Sequence, residues 1–213
     1  AHGVFVTKDT HQVPEHRYPR KKALHKLEDD SLPQFFNEYW YVVKFQKGKE
    51  YPLFYRHFKS LENEAELMLD VNEMAAGKDF YDVGSFSVSV NNQLAAFSED
   101  IIGRRIYTIL LKNLETGEFL NDKIENTTGK TVWAADNEHF FYIRKDETLR
   151  SFQIYRHKIG TSQEEDFLVF HEEDETFDVS VYKSKSLEYI FIASSSTISD
   201  EHWFIPSDNV FAE

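Results

Sequence analysis

Residues 86–97 read FSVSVNNQLAAF, and residues 132–142 read VWAADNEHFFY. Each stretch runs from a β-prone segment through a polar two-residue turn into an apolar segment, and the turns begin at Asn91 and Asp136, 45 residues apart. Residues 179–191 form a looser third copy. Self-similarity at about 40–50 residues, with roughly four short strands per unit, is typical of the blades of a β-propeller.

A second landmark supports the repeat. The apolar run that starts at Ile106 recurs at Phe152, 46 residues later, which matches the offset of the turns. We therefore predict a mainly all-β fold, namely a partial β-propeller of about three four-stranded antiparallel blades with a short N-terminal helical segment. A complete ring needs about four to eight blades, so we expect the chain to be a truncated portion of a larger protein.

The pattern divides the chain into two parts. Residues 1–32 are expected to form a tail and a short basic helix, because residues 15–28 carry a weak helical pattern that ends before Pro33. The rest, residues 33–213, is predicted to be the incomplete propeller, with blades at about residues 35–72, 84–122, 130–171 and 176–211.

Composition narrows the possible partners. Aromatic residues make up 15% and hydrophobic residues 41% of the chain, which favours packed, half-buried sheets. The formal net charge is −13, and such a charge repels phosphate backbones, so we expect no nucleic-acid partner. The same charge would attract basic ligands.

Cysteine and long apolar runs are both absent from the sequence. With no cysteine, the chain has no disulfide, thiolate nucleophile or Cys-based zinc site. This composition is compatible with a reducing compartment, and we expect a cytoplasmic location. No apolar run approaches the roughly 18 residues of a membrane-spanning helix, so we expect no membrane partner.

No serine has the sequence context of a hydrolase nucleophile. That context is G-x-S-x-G, because the turn that carries the serine is too tight for larger neighbours. Gly84-Ser85 and Gly160-Thr161-Ser162 lack the second glycine, and residues 194–196 are three serines without any glycine. We therefore predict no catalytic residue in this chain.

The histidines show no metal-binding motif. His11 and His16 are five residues apart with Pro14 between them, whereas a helical zinc motif needs histidines four residues apart. The others are scattered over different predicted strands, where satisfied or exposed strand histidines are the favoured interpretation: His57, His139, His157, His171 and His202. We predict no metal site and no cofactor.

The remaining polar and aromatic features have ordinary structural interpretations. The acid-rich residues 164–166 and 172–175 fall at predicted turns, where solvated loops are favoured over a binding role. Arg104-Arg105 could bind an anion, although a solvated turn is favoured. The tryptophans lie in predicted strands, which favours packing between blades over ligand stacking: Trp40, Trp133 and Trp203.

An ordered set of segments resembles one known family, the oligopeptidase B group of the prolyl oligopeptidase family of serine peptidases. Asn137 departs from the pattern, since it stands where that group often has serine. The matching segments span about residues 33–205, and they are LDVNEMAAGKDFY (69–81), AAFSED (95–100), GRRIY (103–107), KNLETG (112–117), VWAAD (132–136), FYIRK (141–145) and YRHKIGT (155–161).

The resemblance implies the N-terminal portion of a seven-bladed propeller that caps an α/β-hydrolase domain. That partner domain would carry the Ser-Asp-His triad and acidic residues that select Lys or Arg before the cut. All of these positions are expected beyond Glu213, so the resemblance assigns no catalytic residue here. The implied activity is a serine endopeptidase that cleaves short basic peptides after Lys or Arg, with the propeller limiting access by size.

Two alternatives come from other classes. A self-standing β-rich interaction module with no enzymatic parent would have the same repeats, and a glycosidase propeller would need a central carboxylate pair that the sequence does not single out. In either case, about three blades leave sheet edges open. We therefore expect the isolated chain to form an edge-strand dimer.

Overall fold

The computed structural model describes residues 30–212, so the expected helix within residues 15–28 lies outside the described residues. The described chain confirms the all-β class and the partial propeller. It contains three antiparallel sheets of four, seven and three strands. The seven-stranded sheet comprises two blades, which are joined by one long strand.

The first sheet is one four-stranded blade. Its strands are β1 (Gln34–Phe36), β2 (Tyr39–Lys44), β3 (Leu53–Phe58) and β4 (Ala65–Asp70), in that spatial order. A short helix, α1 (Val71–Ala75), follows at once, because Asp70 accepts hydrogen bonds from the first free backbone N–H groups, those of Asn72 and Glu73. This helix carries the chain back to the next blade.

The second sheet contains seven strands in sequential order. They are β5 (Asp82–Val88), β6 (Leu94–Asp100), β7 (Tyr107–Asn113), β8 (Phe119–Trp133), β9 (His139–Lys145), β10 (Ser151–Lys158) and β11 (Phe167–His171). Consecutive strands pair as hairpins throughout, so the sheet is a meander. The central strands β6 and β9 are buried on both faces, which explains their nearly continuous apolar runs.

Strand β8 joins two blades. The sequence placed a break between residues 122 and 130, yet β8 continues through it, pairing with β7 up to Thr127 and with β9 from there to Trp133. The strand bends at Gly129, whose φ is +87°. A Cβ at this position would lie 2.5 Å from the Ser98 hydroxyl oxygen, so only glycine fits the bend.

The third sheet is a three-stranded part of a further blade. Its strands are β12 (Asp178–Lys183), β13 (Tyr189–Ser195) and β14 (Asp200–Pro206). The predicted blade extended to residue 211, but Val210 and Phe211 lie in turns after the last strand. Val210 is buried and packs with the core between the second and third sheets.

The repeat found in the sequence corresponds to one recurring hairpin. In three blades the first two strands are closed by the same backbone hydrogen bond, Ser89 to Leu94 (2.8 Å), Ala134 to His139 (2.9 Å) and Ser184 to Tyr189 (2.9 Å), each from N–H to carbonyl oxygen. Each hairpin has one residue in the left-handed region, Asn92, Asn137 or Leu187. Asparagine tolerates that conformation, whereas leucine is strained in it.

The hydrophobic core lies between the sheets rather than within a single layer. Phe141 and Ile154 of the second sheet pack with Val181 and Ile190 of the third. On the other side, Leu69 of the first sheet packs in one cluster with residues of the second sheet. Each blade therefore depends on its neighbours to remove apolar side chains from water.

Candidate functional site

The first strands of successive blades meet along one concave surface, which we call the inner wall. It encloses a cavity of about 580 Å³ to which all three sheets contribute. Its lining is mostly apolar and includes Phe86, Val88, Val132 and Trp133. In a propeller the blades surround a central channel, so the inner wall is the channel-facing side of this sector.

Hydrogen bonds between β5 and β8 fix one part of the inner wall. The Ser87 and Thr131 hydroxyl oxygens lie 2.6 Å apart, and the Trp133 indole N–H donates to Ser87 Oγ at 3.0 Å. Trp133 is buried, in agreement with its expected packing role, while Trp203 is partly exposed and packs against Phe170.

Polar side chains join the first and second sheets at the turn side of the wall. Asn37 Nδ2 donates to the Val90 carbonyl oxygen at 2.7 Å. The buried Arg56 guanidinium donates two hydrogen bonds to Glu66 and a third to the Asn92 carbonyl oxygen, at 2.7–2.8 Å. The bonds to the Val90 and Asn92 carbonyl oxygens cross between the two sheets, and they hold the turns in register, while Glu66 pairs with Arg56 within the first sheet.

Two lysines line the inner-wall cavity. Lys130 is exposed, whereas Lys183 is half-buried and its ammonium donates to the Trp133 carbonyl oxygen at 2.9 Å. Burial lowers the pKa of Lys183, and the nearby Asp136 carboxylate opposes this shift only in part. The wall therefore presents positive as well as apolar groups to the channel side.

A second polar cluster lies away from the inner wall, between β8 and β10. His157 is fully buried, with its Nδ1 2.6 Å from an Asp166 carboxylate oxygen and its Nε2 3.0 Å from Asp122 Oδ1. Each carboxylate accepts one further hydrogen bond, Asp122 from the Gly160 N–H at 2.5 Å and Asp166 from the Tyr142 hydroxyl at 2.7 Å. We call this arrangement the Asp122–His157–Asp166 cluster.

The protonation of this cluster follows from its geometry. Burial disfavours the imidazolium, but the hydrogen bonds and charges of Asp122 and Asp166 outweigh it and raise the pKa of His157 from 6.5 to about 9. Burial also opposes the Asp122 carboxylate, yet the hydrogen bonds from His157 and Gly160 outweigh this effect and lower the pKa of Asp122. At neutral pH an imidazolium is thus clamped between two carboxylates.

The cluster is not arranged for nucleophilic catalysis. A general-base histidine needs one ring nitrogen free to take a proton from a nucleophile. Both nitrogens of His157 instead face carboxylates. The cluster therefore acts through charge and hydrogen bonding, and it ties strand β8 to strand β10.

The other described histidines lie in separate surroundings and do not converge. His57 Nδ1 lies 2.8 Å from the Asn63 carbonyl oxygen, His139 Nδ1 lies 2.7 Å from Asp136 Oδ2, His202 Nε2 lies 2.9 Å from Asp200 Oδ2, and the His171 ring packs edge-on against Phe152. His11 and His16 lie outside the described residues. Within residues 30–212, no group of three or more acidic or histidine side chains is placed to hold a metal ion.

The candidate serines also have structural roles. Ser194 is buried, and its hydroxyl donates to the Glu172 carboxylate rather than to a histidine. A Cβ at Gly84 would lie 2.4 Å from the Tyr107 ring, so Gly84-Ser85 is a site of close strand packing. Among residues 30–212, no serine is hydrogen-bonded to a histidine.

The candidate anion-binding pair Arg104-Arg105 lies in a loop formed by residues 101–105. Arg104 and Arg105 are exposed, and the buried Asp100 carboxylate holds their loop by accepting backbone N–H groups of Ile102, Gly103 and Arg105. Burial opposes the Asp100 charge, but these hydrogen bonds outweigh it and lower the pKa of that carboxyl.

Sequence reasoning missed the Asp122–His157–Asp166 cluster. It treated residues 164–166 as a solvated turn, yet the Asp166 side chain is only 1% exposed. Asp122 lies in a segment with no distinctive motif, 35 residues before His157. The only signal in the sequence was that His157 lies in the YRHKIGT segment that repeats the family pattern.

Among residues 30–212, no helix is both long enough and apolar enough to span a bilayer. The chain is 38% identical over 200 residues to dipeptidyl aminopeptidase BI of Pseudoxanthomonas mexicana. It is 33% identical over 185 residues to protease 2 of Moraxella lacunata. These matches cover 86% and 84% of this chain but only 28% and 27% of the relatives.

Solved structures give the same result. Oligopeptidase B from Leishmania major superposes with a TM-score of 0.81 at 32% identity, over 85% of this chain and 26% of that one. Oligopeptidase B from Trypanosoma brucei superposes with a TM-score of 0.78 at 31% identity, over the same shares. The family model for the prolyl oligopeptidase N-terminal β-propeller domain matches residues 1–210. The resemblance seen in the sequence is therefore confirmed: this chain belongs to the prolyl oligopeptidase family, as part of its N-terminal β-propeller domain.

Proposed function

We propose that this chain is the propeller portion of a serine-type endopeptidase that cleaves short peptides after Lys or Arg. In this proposal the propeller completes a ring over an α/β-hydrolase domain of the parent protein. The ring admits short, unfolded peptides and excludes folded proteins. Because the chain spans only about a quarter of its relatives' length, the catalytic residues belong to the parent.

The observation that carries the proposal is the inner wall. First strands from three sheets converge on one mainly apolar cavity of about 580 Å³, as expected for the lining of a peptide-sized channel. Hydrogen bonds between neighbouring blades, such as Lys183 to the Trp133 carbonyl oxygen, keep this wall continuous. A continuous wall supports selection by size, because a folded protein cannot enter a channel of fixed width.

The overall charge of the chain, rather than the two lysines of the inner wall, supports the encounter with basic peptides. The net charge of −13 would raise the local concentration of cationic substrates and speed their encounter. Such steering weakens as salt screens the field, over a Debye length of about 10 Å at 0.1 M salt. The rate of association with an Arg-rich peptide should therefore fall with ionic strength.

The parent protein provides the test. We expect it to react with a serine-directed fluorophosphonate and to cleave a short fluorogenic peptide after Arg, but not the matched peptide with Glu at that position. A folded protein that displays the same Arg sequence in a surface loop should remain intact. Cleavage of the folded protein at the rate of the peptide would contradict size selection, and a parent without hydrolase activity would favour the interaction module.

A second candidate, a dipeptidyl aminopeptidase, is favoured by one relative. The 38% identical relative bears the name dipeptidyl aminopeptidase BI, whereas oligopeptidase B structures match at 31–32% identity. Paired substrates distinguish the two. A peptide with an acetylated amino terminus should be cleaved as fast as its free counterpart by an endopeptidase, but should resist an aminopeptidase.

We also propose a cytoplasmic location for the parent, on the basis that the chain has no cysteine and needs no oxidising compartment. Cell fractionation with an antibody against this chain tests the proposal. Recovery of the parent outside the cytoplasmic fraction would contradict it.

A further inference from the structure

A second cavity lies on the perimeter of the sector, away from the inner wall. It has a volume of about 710 Å³ and is formed by residues 119–123, at the start of β8, and residues 160–164, in the loop after β10. Ligand sites in proteins typically have volumes of about 300–1,000 Å³. The cavity is therefore large enough to hold an amino-acid side chain together with part of its backbone.

The buried carboxylate of Asp122 forms part of this cavity. Asp122 is 5% exposed. Its Oδ1 accepts hydrogen bonds from His157 Nε2 and Gly160 N–H, while Oδ2 accepts none from any other residue within 30–212. Its own backbone N–H also reaches the carboxylate, but a carboxylate has capacity for about four donors, so Asp122 can accept a further donor from the cavity.

The charges of the cluster do not balance. Two carboxylates, Asp122 and Asp166, face a single imidazolium, His157. The Gly160 N–H and the Tyr142 hydroxyl supply hydrogen bonds but no charge. One negative charge is therefore uncompensated beside the cavity, and a buried charge of this kind is stabilised by a partner of opposite sign.

The rim of the cavity carries a further negative charge. Glu164 lines it and is exposed. Lys123 also lines it, but its ammonium is engaged by the Glu125 carboxylate at 2.5 Å. The ion pair leaves the cavity with the charge of Asp122 at its base and that of Glu164 at its rim.

We propose that this perimeter cavity binds a cationic side chain, the guanidinium of Arg or the ammonium of Lys, presented by a peptide. Asp122 would receive the cation at Oδ2, and Glu164 would attract it at the rim. The inference does not rest on the proposed peptidase activity, because it concerns binding to this chain alone.

Nuclear magnetic resonance of the 213-residue chain tests the site directly. The probes are acetyl-arginine amide, acetyl-lysine amide and the uncharged acetyl-norleucine amide. We expect the Gly160 amide resonance, whose N–H donates to Asp122, to shift saturably with both cationic probes and not with norleucine. An equal shift with norleucine, or no saturable shift with arginine or lysine, would overturn the proposal.

Variants locate the binding charge. Glu164→Gln should weaken the affinity for acetyl-arginine amide about two- to five-fold, the effect of losing one exposed ion pair. Glu175→Gln is the matched control, since Glu175 is exposed and does not line the cavity. Equal weakening by both variants would show that only the general field of the chain attracts the probe.

Asp122→Asn removes the charge at the base of the cavity. We expect the affinity for the arginine probe to fall at least ten-fold. The variant must first show the same far-ultraviolet circular dichroism as the unsubstituted 213-residue chain. If this variant does not fold, the comparison of Glu164→Gln with Glu175→Gln decides the matter alone. Unchanged affinity in a folded Asp122→Asn variant would overturn the proposal.

Discussion

Replacing His157 with glutamine should destabilise the chain in a pH-dependent way. The fully buried imidazole has a pKa of about 9 in the folded chain, against 6.5 for a free histidine. At about 1.4 kcal/mol per pKa unit, this difference corresponds to about 3 kcal/mol of stability. We therefore expect His157→Gln to lower the free energy of unfolding by about 3 kcal/mol at pH 6.

The sign of the pH dependence follows from the direction of the pKa shift. The folded chain binds the proton more tightly than the unfolded chain, so the contribution is fully present below pH 6.5. It is lost as the pH rises through about 9. The unfolding free energy of the unsubstituted chain should decrease over that interval, and the difference from His157→Gln should narrow in parallel.

Urea unfolding followed by tryptophan fluorescence, at pH values from 6 to 10, measures both quantities. His202→Gln is the matched control, because His202 is also paired with an aspartate but its side chain is 43% exposed. The control should differ from the unsubstituted chain by less than about 0.5 kcal/mol. If His157→Gln and His202→Gln had equal effects, or if their difference did not change with pH, the clamped imidazolium would be refuted.

Three further substitutions test the fold. Gly129→Ala should lower the free energy of unfolding, measured in urea, by about 3 kcal/mol, because alanine is strained at this positive φ and its Cβ would also collide with Ser98. In the control Gly117→Ala the Cβ meets no neighbour, so only the strain of about 1 kcal/mol remains. Equal losses in the two variants would contradict the bend at Gly129. Leu187→Asn should stabilise the chain by about 1 kcal/mol, since leucine is strained at φ 65°; a lower urea midpoint would contradict this. Phe204→Lys, at a position that is 62% exposed on the edge strand β14, should reduce the dimer fraction in light scattering, and an unchanged fraction would argue against edge pairing.

The repeat could be predicted from the sequence because local chemistry determines it. Asn92 and Asn137 both adopt the left-handed conformation that closes the inner hairpin, and asparagine signals such turns in any sequence. Apolar runs before and after these turns then specify the strand pairs. Leu187 occupies the same position without that signal, which is why the third copy is looser in the sequence.

The junction between blades and the buried cluster depend on non-local contacts, so the sequence did not reveal them. Strand β8 continues through the break that the sequence placed between residues 122 and 130, because it pairs with a strand of each blade. The ion cluster joins Asp122 to residues 35 and 44 positions later. No local pattern identifies which acid among 37 will meet a given histidine.

The unbroken strand β8 has a mechanical consequence for any ring that contains this sector. The blades on either side of it share this one strand, which pairs with β7 in its first part and with β9 in its second, so separating them would break strand pairing. The first and third sheets join the second without a strand in common. Within this sector, a sideways opening that admits a substrate should therefore occur at one of those two junctions rather than at β8.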